Sequence, residues 1–137
     1  ISEVVVMSIA SEWLYSEITG DTEITAYVGQ RVFKYVAPEG TAFPFIVFHE
    51  VTGMPVSNYT ADRIGDRERW IIKVYDKGSS DITADTIDRL IRTLLHKSSG
   101  DDVIYCVAGM RRTQADFDAN KNPIRGIIRE YEIYTQE

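Results

Sequence analysis

One cysteine, Cys106, and two histidines, His49 and His96, are all that this chain of 137 residues offers in thiol or imidazole chemistry. A lone cysteine excludes an intrachain disulfide. Without any HExxH, CxxC or calcium-loop spacing, it also leaves a bound metal without a ligand set. Neither histidine stands near a serine elbow or a spaced carboxylate that would suggest nucleophilic catalysis. Gly53, Gly65 and Gly109 are isolated rather than gathered into a phosphate cradle, so nucleotide binding has no support. No catalytic, metal or cofactor site is therefore expected. Basic residues are missing from the first 30 positions, which hold Glu3, Glu12, Glu17, Asp21 and Glu23, and the formal net charge is −6. Tight nucleic-acid binding depends on neutralising phosphates, and this chain has no surplus of charge to do it. No apolar run approaches the ~18 residues that cross a bilayer, and Val4 to Met7 is too short and acid-flanked for a signal peptide. A soluble protein of a reducing compartment, with no membrane partner, is expected.

The hydrophobic share of 44% and the charged share of 26% are those of a globular protein. The length fits one domain, residues 1–137. Val6, Ile9, Ala10, Trp13, Leu14 and Ile18 recur at helical spacing, predicting an amphipathic helix near 4–19 that Gly20-Asp21 ends. A second short turn fits Thr22 to Val28. Strands are predicted where Val32, Phe33, Tyr35 and Val36 cluster, over Phe45 to Val51 after Pro44, and over Trp70 to Tyr75. The clearest helix runs from about Asp81 to His96, with Ile87, Leu90, Ile91, Leu94 and Leu95 on one face. Asp85 with Arg89 and Asp88 with Arg92 are acid-first i,i+4 pairs that mark its solvated side. Val103 to Met110 and Ile124 to Tyr134 read as the closing strands. On the last, Ile127, Arg129, Tyr131 and Ile133 share one face. The resulting order α-β-β-β-α-β-β predicts an α+β fold, an antiparallel or mixed sheet of about five strands with two main helices packed on it.

Two polar segments stand out. Residues 52–67 read either as a mobile binding arm or as a strand pair extended through Val56 to Tyr59 around a longer turn. Tyr59, Arg63, Ile64 and Arg67 in it are candidate contact residues. The segment 111–123 holds Arg111-Arg112, expected at a strand end, and Phe117 among Gln114, Asp116 and Asp118. An aromatic in such company either folds back on its own sheet or inserts into a neighbour. Asp101-Asp102 and Asp116 with Asp118 are acidic pairs that fit solvated turns better than acid/base work.

Gly29 to Glu50, GQRVFKYVAPEGTAFPFIVFHE, writes an aromatic strand, a Pro/Gly connection and a proline-entered apolar strand in succession. In Gly29-x-Arg31-Val32-Phe33, Ala37-Pro38 and Pro44-Phe45-Ile46-Val47 the chain resembles the tail-completion, or tail-terminator, family of long-tailed bacteriophages, with the element order following from about Val5 to Tyr134. The resemblance implies a structural protein without enzymatic activity. It would form a ring, six-membered in the family, that caps the finished tail tube and gives the head a docking surface. The implied partners are copies of itself, the tail tube protein and a head-completion or connector protein. DNA would pass through the lumen without specific binding. Its implied location is the host cytoplasm during assembly and then the virion tail. Another head-tail completion factor, or a small α+β enzyme or ligand-binding module, is the alternative reading.

Overall fold

The computed structural model of the chain describes residues 9–57, 63–78, 82–100, 103–118 and 120–136, and at 56–57 and 63–64 it describes the backbone alone. Of the helix predicted near 4–19, the part from Ile9 on is present as α1, Ile9–Gly20, while residues 4–8 lie outside the described ones; the short turn after it is α2, Thr22–Val28. Asp21 separates them as a cap. Its carboxylate accepts from the N–H groups of Glu23 and Ile24 at 2.9 and 3.0 Å, which restarts helix at once instead of leaving coil. Gly29, at φ 58, releases the chain from α2. There follow β1 (Val32–Lys34), β2 (Phe45–Ser57), β3 (Arg63–Lys77), α3 (Ile82–Leu95), β4 (Val103–Phe117) and β5 (Pro123–Gln136).

The five strands form one sheet in the order β1-β2-β3-β5-β4. It is mixed, because β1 is parallel to β2 while every other pair is antiparallel. The predicted α+β class and element order hold, with α2 added. Ile46, Phe48, Trp70, Ile72, Ile127 and Tyr131 on the sheet form one buried cluster with Leu14, Ile18, Ile24, Ile87, Ile91 and Leu95 of the helices. Val47, Ile71 and Ile128 are buried too but stand outside that cluster, because they point to the other face. There Phe45 sits 5.1 Å from Phe43 and 5.3 Å from Tyr75, ring centre to ring centre. Helices cover one face of β2, and its own aromatic neighbours shield the other.

Three further expectations are corrected. β1 stops at Lys34, because Tyr35 turns to φ 70 and its N–H bonds to the Phe48 carbonyl. β4 does not end at Met110 but continues to Phe117, so Arg111-Arg112 lies inside a strand; hydrogen bonding to β5 carries it through a polar sequence. Asp88 does not mark the solvated side of α3: it is 2% exposed and pairs with Arg129 of β5, not with Arg92. Of the two readings of 52–67, the extended strand pair is the one seen as far as Ser57, with Thr52 to Ser57 laddered against Arg69 to Arg63, while residues 58–62 lie outside the described ones.

Candidate assembly surface

The long strands make two hairpin arms at opposite ends of the sheet. Gly65 of β3 lies beside Gln136 of β5, and Lys77 lies beside Ile124, so the β2–β3 arm and the β4–β5 arm extend in opposite directions. In the first arm Arg67 is anchored sideways. Its Nε lies 3.2 Å from Glu132 of β5, and its terminal nitrogen 3.3 Å from Met54 Sδ on β2. Both ionic partners are largely exposed, so the pair positions the guanidinium more than it stabilises the fold. Val51 and Met54 are exposed on this arm. Tyr59 lies outside the described residues, as do the side chains of Arg63 and Ile64, whose backbone starts β3.

At the base of the same arm, Glu68 faces the helix side, in line with Trp70, Ile72 and Val74. It is buried, and its carboxyl is pushed up to about 7, first by burial and then by Glu50 beside it, with Lys34 opposing. Lys34 reaches Ser11 of α1 at 3.3 Å and stands over the Trp70 ring.

The second arm is anchored by ions. Arg129 gives Asp88 two hydrogen bonds, at 3.2 and 2.8 Å, and a third to the Gly109 carbonyl at 3.4 Å, where β4 is bulged. Arg111 lies 3.4 Å from Asp88 and also pairs with Asp85. Arg89, hydrogen-bonded to Asp85, holds that carboxyl below the usual range, with Arg111 adding to the effect. Arg111 and Arg112 thus part company. The first turns to α3; the second is exposed on the helix-free face, beside Met110, Ile128 and Glu130. Phe117 projects at 67% exposure and Met110 at 75%. Asp118 holds the arm's turn, accepting from the N–H groups of Asn120 and Asn122. The candidate residues therefore do not converge: Arg67 is on one arm, Arg111, Arg112 and Phe117 on the other. Asp88 and Arg129 were not singled out as a pair, although each is a charge on the apolar side of its element.

The imidazoles and the thiol are engaged in the fold. His96 Nδ1 accepts from the Ala108 N–H at 3.0 Å, and the His49 ring stacks on Tyr35. Burial pushes the Cys106 thiol up to about 12, far from a reactive thiolate. Among the described residues, no three His, Cys, Asp or Glu side chains could hold a metal. Asp101 and Asp102 lie outside them. Among the described residues no helix is long and apolar enough to cross a membrane.

Residues 12–135 match the family model described as tail completion protein gp17. No curated protein matches the sequence. Among solved structures, a chain of the "Virion of native gene transfer agent (GTA) particle" is similar with a TM-score of 0.74 at 16% identity, covering 90% of this chain and 92% of that one. At that identity the likeness is one of fold.

Proposed function

Because the chain belongs to the tail completion protein gp17 family, a family of structural phage tail proteins, we propose that it acts as one domain that caps the tail tube as a ring and presents a docking surface to the head. The observation that carries this reading is the pair of arms at opposite ends of one sheet, which give each subunit two unlike ends. Unlike surfaces meeting head to tail close into a ring only when the rotation per copy divides a full turn, and closure leaves no site for another tube subunit. A six-membered ring is the family expectation. Growth then stops by geometry, with no covalent step.

Arg67 and the side chains following Ser57 serve one contact; Arg112 and Phe117 serve the other, with Arg111 fixing the second arm. Tube protein, head-completion protein and neighbouring copies are the partners, and DNA passes through without being held. Adding the purified chain to uncapped tail tubes tests the reading, with Phe117→Ala as a second sample. The wild type is expected to cap one end under the electron microscope, and Phe117→Ala to cap poorly while keeping its melting temperature. Tubes left bare by the wild type would refute it.

A further inference from the structure

The outer edge of β4 is closed over its first half. Beyond Leu95 the turn bonds to it, Lys97 N–H to the Cys106 carbonyl at 2.7 Å and Cys106 N–H to the Ser98 carbonyl at 3.1 Å, and the Ala108 N–H donates to His96. The second half is open. Arg111, Thr113 and Ala115 stand opposite Arg129, Ile127 and Arg125, which follow Tyr131, the partner of Ala108, in steps of two along β5. Successive residues of an antiparallel strand bond to alternate sides, so these three point their N–H and C=O groups outward as Ala108 does. Among the described residues no backbone hydrogen bond reaches them. The stretch from Gly109 to Phe117 is exposed and contains no proline, the condition under which an edge recruits another strand. The opposite edge is protected: β1 covers Ile46 to Phe48, and a bulge at Val51 with Pro55 blunts β2 further along.

We propose that residues 111–117 of β4 pair antiparallel with the same residues of a second copy, about a two-fold axis through Gln114. Charge selects both the occupant and the register. With the axis at Gln114, Arg112 of each copy stands opposite Asp116 of the other, so the edge complements itself twice. An axis through Arg112 or Asp116 would set like charges face to face. Neither residue has an ion pair among the described residues. Asp116 Oδ1 accepts from the Phe117 N–H at 2.8 Å, which leaves its other oxygen for the guanidinium. The outward groups of Thr113 and Ala115 then bond across the axis. A contact of this kind stops at two copies, so it is not the head-to-tail contact of the ring; it joins free subunits and must open before Arg112 and Phe117 serve the assembly. One strand edge of seven residues buries less than the ~1,200 Å² of a stable standard interface, so a weak, concentration-dependent dimer is expected.

Gln114→Cys tests the pairing. On the axis the residue meets its own copy in a non-hydrogen-bonded pair, with Cα atoms about 4.5 Å apart, within disulfide reach; the native Cys106 is buried. Mild oxidation should give a covalent dimer on a non-reducing gel. Adding Arg112→Glu to the cysteine variant should suppress it, and adding Asp116→Arg to that double variant should restore it. A folded Gln114→Cys chain that stays uncrosslinked, or a dimer yield indifferent to the charge reversals, overturns the proposal. Tube capping by the wild type is scored separately, so the two readings can fail independently.

Discussion

Asp88→Ala should be among the most damaging single changes in the chain. The Asp88 side chain is 3% exposed and accepts two hydrogen bonds from Arg129, itself 10% exposed, with Arg111 at 3.4 Å. Alanine would leave the Arg129 guanidinium buried with the Gly109 carbonyl as its remaining hydrogen-bond acceptor among the described residues. Deleting one partner of a buried ion pair costs about 3–5 kcal/mol, chiefly for the charge left behind. Arg111 keeps Asp85, and water reaches the rim of Arg129, so the lower end applies, about 3 kcal/mol. Against a total stability of about 5–15 kcal/mol this is severe, and it lowers the melting temperature by roughly 10 °C. Urea unfolding followed by circular dichroism reads the loss as a lower midpoint at unchanged slope. Asp88→Leu with Arg129→Met removes both charges together and should stay within about 1 kcal/mol of the wild type. A cost below about 1 kcal/mol for Asp88→Ala, or a double variant as unstable as the single one, would refute the reasoning.

Two other predictions concern the first arm and its base. The Glu68 carboxyl is raised from 4.5 to about 7 in the folded chain, so between those values the fold holds a proton that the unfolded chain has released. Stability is then fully present below about 4.5 and falls as pH rises through 7; Glu68→Gln should flatten this slope and be the more stable form at pH 8. Urea midpoints at pH 5 and 8 decide it, and parallel pH profiles for the two chains would count against the assignment. Gly65→Ala would drive a Cβ into the Thr135 carbonyl of β5, where backbone cannot yield as a side chain can. A loss of about 1–3 kcal/mol is expected, and a neutral substitution by thermal melting would show that the arm and β5 are not packed as described.

The elements with an apolar stripe were readable because something covers them. α3 and the core half of β5 announce themselves in Ile87, Ile91 and Leu95 and in Ile127, Tyr131 and Ile133, all buried. The arms lack that signal for a physical reason. Residues 52–57 and 111–117 are strand because β3 and β5 offer them hydrogen-bond ladders, while 52–55 and 111–117 are exposed, so the alternation of buried apolar residues that marks a covered strand is absent. The ion network was half legible. Arg129 alternates with apolar residues facing the core, and Asp88 lies one turn from Ala84 and near Ile91; two charges on two buried faces require each other. What pulled the reading astray was the acid-first spacing of Asp88 and Arg92, a local rule that a tertiary partner overrode. Phe117 could not be placed from sequence, since its exposure depends on how far β4 runs past the helices.

The ion network also bears on how the second arm would work in the proposed assembly. An arm that ordered only on contact with a partner would lose affinity to the entropy of ordering. In the free chain Arg129 ties Asp88 of α3 to the Gly109 carbonyl, and Arg111, two residues further on, returns to Asp85 and Asp88. The strand is thus gripped at its bulge, where the ladder to β5 is locally broken and the arm would otherwise hinge. Gripping it there spends folding energy in the free subunit and spares it at the interface, because an arm already held in line loses little freedom on docking. The same grip faces Arg111 inward, which leaves Arg112, Asp116 and Phe117 as the exposed side chains proposed above for contact. Stability and contact are therefore divided between two adjacent arginines: substituting Arg111 should loosen the arm and weaken every contact it makes, whereas substituting Arg112 should leave the fold untouched and change only which surface the arm accepts.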